Sequence, residues 1–200
     1  MSQFLFLGDH PCLDFVNTKL IRRGKPADLL TSFPDLASWA AEAGILTRSE
    51  TDEAIRRWSR APEGDKTFRE AIRFRKSLRN MVEKIAEHKK VPAETIRSIN
   101  RFLSRSKRYE EVLSSRGRFQ LGTRRKLDHP MQLLSAIAET AAHLLCFMQL
   151  RLIARCENPK CVLYFYDETK NHTRRWCSMS GCGNRMKVAA YYRRHKSGSA

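Results

Sequence analysis

The apolar positions of the chain recur mostly three to four residues apart, and this spacing predicts a mainly helical fold. Pro34 at a first-turn position and Gly44 after the last turn delimit one helix. Thr47 and Glu50 form the capping box of the next. The predicted helices cover residues 34–43, a stretch that begins after Thr47, residues 66–88 and a stretch that begins near Pro92.

Three other segments depart from this pattern. Residues 3–16, which contain the sequence GDHPC, are expected to form a short extended or looped segment. Pro62 and Gly64 are expected to break the chain before the long helix. Residues 108–125 contain two short runs on either side of Ser-Arg-Gly-Arg, and this arrangement predicts a β-hairpin.

The most apolar helix is predicted at residues 131–154, which present a wide apolar face. Because this stretch runs directly into Cys156, we expect a continuous helix at about 130–155. It would join a domain of residues 1–150 to a module of residues 151–200 in a fixed orientation. The predicted class is α+β, mainly α: a helical N-terminal domain with a short β-hairpin, followed by a small treble-clef-like zinc finger.

Length and hydropathy restrict the class of protein. The chain has 200 residues, of which 42% are hydrophobic, so a packed core without disulfides is feasible. No stretch approaches the roughly 18 apolar residues that span a bilayer. The start, MSQFLFLGDHPC, lacks the basic region of a signal peptide. We therefore expect a cytoplasmic protein with no membrane partner, in which six cysteines need an explanation other than disulfides.

The net charge is +17, from 38 basic and 21 acidic residues, and it is concentrated near the C-terminus. Residues 151–200 contain eleven Lys or Arg and three acids, a local excess of eight. A strong positive field attracts polyanions, and nucleic acid is the commonest polyanion in a cytoplasm. A solubilising surface explains the charge about equally well, so charge alone does not decide the function.

The cysteines carry the strongest chemical signal, in the form of two close pairs. Each pair has four intervening residues, and fifteen residues separate the pairs. This spacing is typical of a zinc ribbon or treble-clef-like finger, in which four thiolates surround one Zn²⁺. A site closed by four thiolates has no open coordination position, so the expected ion is structural rather than catalytic. Four buried free thiols are the less favoured alternative. The predicted ligands are Cys156, Cys161, Cys177 and Cys182.

The residues around the cysteines predict the order cysteine turn, hairpin, cysteine turn, helix. VLYFYD after the first pair predicts a strand, and TRRW before the second pair predicts its return strand. Gly183 and Asn184 are expected to start a helix that continues through Arg194. His172 and His195 are alternative ligands, but beside four thiolates they are expected to lie on the surface.

Several neighbouring side chains have a structural interpretation. Phe165 and Trp176 are expected to form a small core over the zinc. Asp167 is expected to order the hairpin turn or to pair with an arginine. Cys146 is expected to be a small core residue of the apolar helix. For Cys12, which follows a histidine, a Cys–His nucleophile is conceivable, but a packed cysteine is preferred.

The elements FYD, RRWCSM and CGNR, between Cys156 and Lys187, resemble the CGNR zinc finger. The opening GDHPCLDFVNT resembles the start of the ABATE domain, which precedes that finger in a bacterial family named as stress-induced transcription regulators. The resemblance implies a mainly helical α+β N-terminal domain, zinc at the four cysteines and DNA binding by the finger. Residues 19–130 match only in length and helical pattern.

Basic residues on the finger are the candidates for contact with DNA. Arginine can pair with guanine and asparagine with adenine, although most contacts of such a surface go to phosphate. For Asn184, capping of the final helix is the favoured alternative. The candidate nucleic-acid-binding residues are Arg174, Arg175, Asn184, Arg185, Lys187, Arg193 and Arg194.

Polar residues in the apolar sequence LDFVNT suggest a small-molecule pocket in the N-terminal domain. The hypothesis places Asp14 and Asn17 beside a basic residue of the long helix, Arg73 or Arg75. The plainer interpretation, which we prefer, is that Asp14 and Asn17 bond to the neighbouring backbone. The sequence contains no P-loop, GxSxG or HExxH motif, so an enzyme is not expected.

These observations favour a zinc-binding DNA-binding transcription regulator, with a small-molecule effector sensed by the N-terminal domain. An RNA- or ribosome-associated zinc protein is the alternative, and an enzyme with a pocket near Asp14 and Asn17 is a weaker one. Many DNA regulators pair to read two half-sites, which favours a homodimer. The operator, the effector and the sign of regulation do not follow from the sequence.

Overall fold

The computed structural model describes residues 3–196, and within that range every side chain except those of residues 123, 124 and 196. In the described part of the chain, seven α-helices and three pairs of short antiparallel strands are present. The predicted mainly helical α+β class is therefore confirmed. No helix within residues 3–196 is both long and apolar enough to cross a membrane.

The elements follow one another in short steps along the chain. The helices are α1 (Pro11–Asn17), α2 (Phe33–Glu42), α3 (Arg48–Trp58), α4 (Pro62–Ala86), α5 (Ala93–Leu103), α6 (Gln132–Phe147) and α7 (Asn184–Lys196). The strands are β1 (Lys19–Arg22), β2 (Lys25–Asp28), β3 (Arg108–Ser115), β4 (Arg118–Arg125), β5 (Ile153–Arg155) and β6 (Tyr164–Tyr166). They pair as β1 with β2, β3 with β4, and β5 with β6.

Local capping residues set the ends of the helices that the sequence predicts correctly. Both hydrogen bonds of the capping box between Thr47 and Glu50 are present at the start of α3. Ser32 caps α2 by accepting a hydrogen bond from the Asp35 amide at 3.3 Å. Gly44 follows α2 with φ of 70°, the left-handed conformation that ends many helices. The predicted hairpin at 108–125 is also confirmed, as β3 and β4.

The first helix corrects the expectation of an extended or looped segment at residues 3–16. Pro11 begins α1, and the ring of His10 caps it by accepting a hydrogen bond from the Cys12 amide at 3.2 Å. Six of the seven residues of α1 are buried. A short helix that is enclosed on all sides has no polar face, so its sequence shows no helical period.

The prediction that Pro62 and Gly64 break the chain is also wrong, because α4 begins at Pro62. Proline suits the first helical position, where its missing N–H would have no intrahelical partner. Gly64 lies in the first turn, close against the end of α3. A Cβ at this position would lie 1.9 Å from the carbonyl oxygen of Trp58, so the glycine permits this close approach.

The expected continuous helix at about 130–155 is not formed. Helix α6 ends at Phe147, and Met148 is extended with ψ of 153°. A 3₁₀ turn at Leu150–Leu152 and the strand β5 follow. Leu152 and Ile153 are buried, as the helical pattern requires, but Leu152 belongs to the 3₁₀ turn and Ile153 to the strand. A continuous apolar run cannot distinguish these two cases.

The predicted return strand TRRW is wrong as well, because β6 pairs with β5 instead. The register joins Ile153 to Tyr166 and Arg155 to Tyr164, so the first cysteine turn is enclosed by the β5–β6 hairpin. The segment TRRW, residues 173–176, forms no strand.

The finger and the helices share one apolar core. Leu152, Ile153, Tyr164 and Tyr166 belong to the same buried cluster as the side chains of α1, α2, α4 and α6. Helix α1 contacts α4, α6 and β6. The zinc finger is therefore docked on the helical region through β5 and β6.

Candidate metal centre

The structure brings the sulfur atoms of all four predicted ligands together. The Sγ atoms of Cys156, Cys161, Cys177 and Cys182 lie within 4.8 Å of one another. Cys177 Sγ is 3.8 Å from Cys161 Sγ and 3.7 Å from Cys182 Sγ. Four sulfurs at about 2.3 Å from a tetrahedral zinc ion are ~3.8 Å apart, so the cluster has the size that Zn²⁺ requires. The four cysteines are positioned to bind one zinc ion.

Two tight turns hold these cysteines. In the first, the Cys161 amide donates to the carbonyl oxygen of Asn158 at 2.8 Å. In the second, the hydroxyl of Ser178 accepts from the Gly181 amide at 3.2 Å. Cys182 lies within one turn of π-helix, Met179–Gly183, which leads directly into α7. The metal site therefore fixes the start of α7, a helix that the sequence predicts correctly.

Asn158 is a residue of the site whose role the sequence did not reveal. Its side-chain amide donates to Cys182 Sγ at 3.2 Å, and its Oδ1 accepts from the Lys160 amide at 3.0 Å. It is buried between the two cysteine turns. Hydrogen bonds to ligand atoms orient the ligands of metal sites and balance their charge. An asparagine inside a cysteine turn is the signal that could have identified this role.

The acidities of the cysteines show why the cluster needs a cation. Hydrogen bonds from Cys161 and Cys177 to its sulfur lower the pKa of Cys156. The pKa values of Cys161 and Cys177 are raised, first because each donates to Cys156 and further because of burial. Without a positive ion, these three thiols thus do not ionise together. A divalent cation supplies the charge that holds four thiolates together.

A small apolar cluster encloses the metal site, as predicted. Phe165 is fully buried against the cysteines, and Trp176 is half-buried beside them. Leu20 of the β1–β2 hairpin belongs to the same cluster. The rings of His172 and His195 are exposed and are not part of the sulfur cluster, so neither replaces a cysteine.

Arg174, a candidate for DNA contact, is engaged within the protein. Its guanidinium donates to the carbonyl oxygens of Leu7, Tyr166, Trp176 and Cys177 at 2.8 to 3.3 Å. It also pairs with Asp9 and lies 4.3 Å from the centre of the Phe165 ring. These contacts tie the N-terminal segment to the finger, and they leave the other six candidate residues for contact with DNA.

Asp167 orders the loop before Arg174, as the sequence predicts. Its carboxylate accepts from the backbone amides of Thr169 and Arg174, each at 2.9 Å. Desolvation is the largest single effect on the pKa of Asp167 and raises it, but the hydrogen bonds from Thr169 and Arg174 together outweigh it, so the pKa lies below its usual value.

The remaining candidates lie on the surface of the finger. Arg175 is exposed and pairs with Glu157 at 2.6 Å. The other five belong to the final helix, where all of their side chains are exposed. These five are Asn184, Arg185, Lys187, Arg193 and Arg194.

The three residues of the hypothetical pocket, Asp14, Asn17 and Arg73, differ in their surroundings. Asn17 is buried, and its side chain bonds to both backbone groups of Tyr164, at 2.7 Å to the oxygen and 3.0 Å from the amide. Asp14 is also buried and accepts from the Gly8 amide at 2.8 Å. Arg73 is exposed and pairs with Glu70. Asp14 and Asn17 thus follow the plainer interpretation, and Asn17 holds the finger against α1.

The two cysteines outside the cluster differ from each other. Cys12 is fully buried, as preferred from the sequence, and burial raises its pKa to about 12, which argues against a nucleophile. Cys146 is exposed, so the expectation of a core residue is wrong. It lies on the outer side of α6, whose buried side chains are Leu144, Ala141 and others at helical spacing.

The buried carboxyl of Asp14 leads to a prediction about pH. Burial raises its pKa to about 6, and hydrogen bonds from Gly8 and Leu7 only partly oppose this. In the unfolded chain the pKa is ~4, so the folded state binds the proton more tightly and the charge of Asp14 opposes folding above pH 6. Asp14→Asn should therefore raise the free energy of unfolding by about 2 kcal/mol at pH 7.

As the pH falls from 7 towards 4, wild-type Asp14 becomes protonated in the folded state. The difference in free energy of unfolding between Asp14→Asn and the wild type should therefore shrink. We expect roughly half of it at pH 5, measured by denaturant titration of both proteins in excess zinc. An equal advantage at the two pH values would contradict the assignment.

A helical region with a four-thiolate site on the same core defines the chain as a zinc-finger protein. Two family models match it: "Putative stress-induced transcription regulator" (ABATE) over residues 9–147 and the CGNR zinc finger over residues 152–195. The chain belongs to the ABATE family and carries a CGNR zinc finger. No curated protein matches it.

Proposed function

We propose that this protein is a DNA-binding transcription regulator whose helix α7 contacts duplex DNA. The observation that carries the proposal is the exposure and charge of this helix. Its sequence, NRMKVAAYYRRHK, has five Lys or Arg and no acid. Every side chain described in it is exposed or half-buried. The family to which the chain belongs, with a model described as a transcription regulator, supports this interpretation.

The spacing along α7 gives it two usable faces. Asn184, Lys187 and Tyr191 lie three and four residues apart and therefore on a similar side of the helix. Val188 and Tyr192, four residues apart, are 54% and 66% exposed. Large apolar side chains that are exposed together can mark a binding surface. A helix of this kind fits the major groove, where basic side chains contact phosphates and polar ones contact base edges.

The surface beside the second cysteine turn extends this basic region. A cavity of about 540 Å³ is lined there by Lys170, Asn171, Arg175 and Trp176. The guanidinium of Arg175 lies 5.0 Å from the centre of the Trp176 ring. Its ion pair with Glu157 is exposed to solvent, so it is weak and can be exchanged for a phosphate.

The division of roles follows the predicted domains. In the proposal, residues 151–200 bind DNA and residues 1–150 sense a small molecule, so that one chain both receives and transmits a signal. The protein acts in the cytoplasm, without catalysis, as a homodimer on two half-sites. The shared core supports this arrangement, because the side chain of Asn17 in α1 is hydrogen-bonded to both backbone groups of Tyr164 in β6.

A matched pair of triple variants tests DNA binding. The first replaces Arg185, Lys187 and Arg194 by Ala. Duplex affinity should fall at least tenfold at low salt. With fewer phosphate contacts, binding releases fewer counterions from the DNA. The slope of log K against log salt should decrease in magnitude by ~3. Fluorescence anisotropy with labelled duplexes, selected from genomic fragments by the zinc-loaded protein, measures both quantities.

The control replaces two arginines and one lysine that are exposed on α3, α4 and the turn between them, namely Arg56, Arg60 and Lys66. It removes the same charge and should leave the affinity within about twofold. An equal loss in both variants would reduce the effect to net charge and contradict the proposal. Tighter binding of RNA than of matched duplex DNA would select the RNA-associated alternative.

A further inference from the structure

We infer that a cavity between α1 and α6 binds a small organic carboxylate. The cavity has a volume of about 410 Å³ and lies where the start of α1, the turn after α2 and the base of the β3–β4 hairpin meet α6. This volume is in the range of small-molecule sites. The inference rests on the sensing part of the function proposed above, and it assigns a site different from the one expected at Asp14, Asn17 and Arg73.

Two histidines on its wall are joined by a hydrogen bond that orients the outer one. His10 Nδ1 accepts from the Cys12 amide, so the proton of the neutral ring must be on Nε2. This Nε2–H donates to His143 Nδ1 at 3.2 Å. In the neutral ring of His143 the proton is then on Nε2. The pair therefore presents an N–H donor, and the arrangement excludes metal binding by His10 Nε2.

The neutral state of His10 agrees with its surroundings. Burial, and secondly the nearby His143, lower the pKa of His10 to about 4. The rings of His10 and His143 are stacked, with centroids 5.4 Å apart.

Two arginines supply the positive charge of the cavity. Arg108 and Arg125 are the paired end residues of the β3–β4 hairpin, and both line the cavity. Glu139 accepts from Arg108 at 3.1 Å, from Arg125 at 2.9 Å and from Ser106 at 2.7 Å, so its oxygens are already in use. Two guanidinium groups and one carboxylate therefore line the cavity, and Glu50, which is not among the lining residues, also attracts Arg125. Nη1 of Arg125 has no hydrogen-bond partner among the described residues.

The rest of the wall favours an apolar body on the ligand. Pro11, Ala43, Ile45 and Ala136 line the cavity with aliphatic groups. An inorganic anion would leave these groups in contact with water, whereas a carboxylate with a small hydrocarbon part covers them. Donors on one side and aliphatic groups on the other therefore indicate a small aliphatic or aromatic carboxylic acid.

The position of the cavity also connects it to the finger. His10 caps α1, and Asn17 at the other end of α1 holds both backbone groups of Tyr164. The Gly8 carbonyl, two residues before His10, accepts from the Tyr166 amide at 2.9 Å. A ligand that contacts His143 thus lies one helix away from β6, the strand that follows the first cysteine turn.

Calorimetric titration of the full-length, zinc-loaded protein without DNA tests the site. The probe is benzoate. Benzamide is its uncharged analogue, and inorganic phosphate is an anion without an apolar body. We expect saturable binding of benzoate and at least tenfold weaker binding of the other two. Arg108→Gln and His143→Gln, both at exposed positions, should each weaken benzoate binding at least fivefold.

Arg73→Gln is the control, because it also removes an exposed arginine that pairs with a glutamate. It should leave the affinity for benzoate unchanged. No saturable binding of benzoate, equal binding of benzamide, tighter binding of phosphate or an equal loss with Arg73→Gln would each overturn the inference. DNA is absent from this measurement, so its outcome is independent of the DNA-binding proposal.

Discussion

Cys177→Ser is expected to abolish stoichiometric zinc binding and to destabilise the whole protein. Cys177 Sγ lies within 3.8 Å of two other ligand sulfurs, and a serine hydroxyl is a poor substitute for a thiolate. Binding of structural zinc contributes about 10–16 kcal/mol in zinc-finger peptides, which is as large as the entire stability of a typical domain. Leu152, Ile153, Tyr164 and Tyr166 lie in the main core, so this loss extends beyond the finger.

The measurement is metal content by mass spectrometry together with thermal unfolding. We expect one zinc ion per wild-type chain and none in Cys177→Ser. The variant should unfold at a lower melting temperature or show no cooperative transition. Cys146→Ser is the matched control, because Cys146 is exposed and lies outside the cluster. It should keep one zinc and an unchanged melting temperature. A Cys177→Ser protein with full zinc content and wild-type stability would refute the assignment of the site.

Arg174→Ala is expected to lower the free energy of unfolding by roughly 2–4 kcal/mol, whereas Arg175→Ala should change it by less than about 1 kcal/mol. The two residues are adjacent, and both carry one positive charge. Arg174 donates to four backbone carbonyls and pairs with Asp9, so its removal leaves several half-buried acceptors without a donor. Arg175 has an exposed ion pair with Glu157.

Denaturant titration and a DNA-binding assay separate the two roles. Arg175→Ala should weaken binding to duplex DNA and keep wild-type stability. In Arg174→Ala, any loss of DNA binding should accompany the loss of stability. An Arg174→Ala protein with wild-type stability that has lost DNA binding would contradict the structural role and would show that Arg174 contacts DNA.

Features that depend on local chemistry were predictable from the sequence. The four zinc ligands follow from spacing, because each pair of thiolates needs only one tight turn. The starts of α2 and α3 follow from Ser32, Pro34 and the pair Thr47–Glu50, which satisfy the first amides of their own helices. The start of α7 likewise follows from the turn that contains Cys182.

Features that depend on distant partners were not predictable. Helix α1 is enclosed by α4, α6 and β6, so no polar face marks it as a helix. The strand after the first cysteine pair could pair with either neighbour, and β5 is chosen because Leu152 and Ile153 complete the core. The role of Arg174 depends on carbonyls as distant in sequence as Leu7, and no local pattern reveals that contact.

The attachment of Tyr164 to Asn17 has a consequence for how such proteins can be assembled from parts. A chain cut between α6 and β5 would leave the amide of Asn17 without its partners and would expose the core positions that Tyr164 and Tyr166 fill. The finger is therefore not an independent domain that could be replaced by another finger without changes in the helical region. A substitution of Asn17 would disturb β6 as well as α1, because both backbone groups of Tyr164 depend on it.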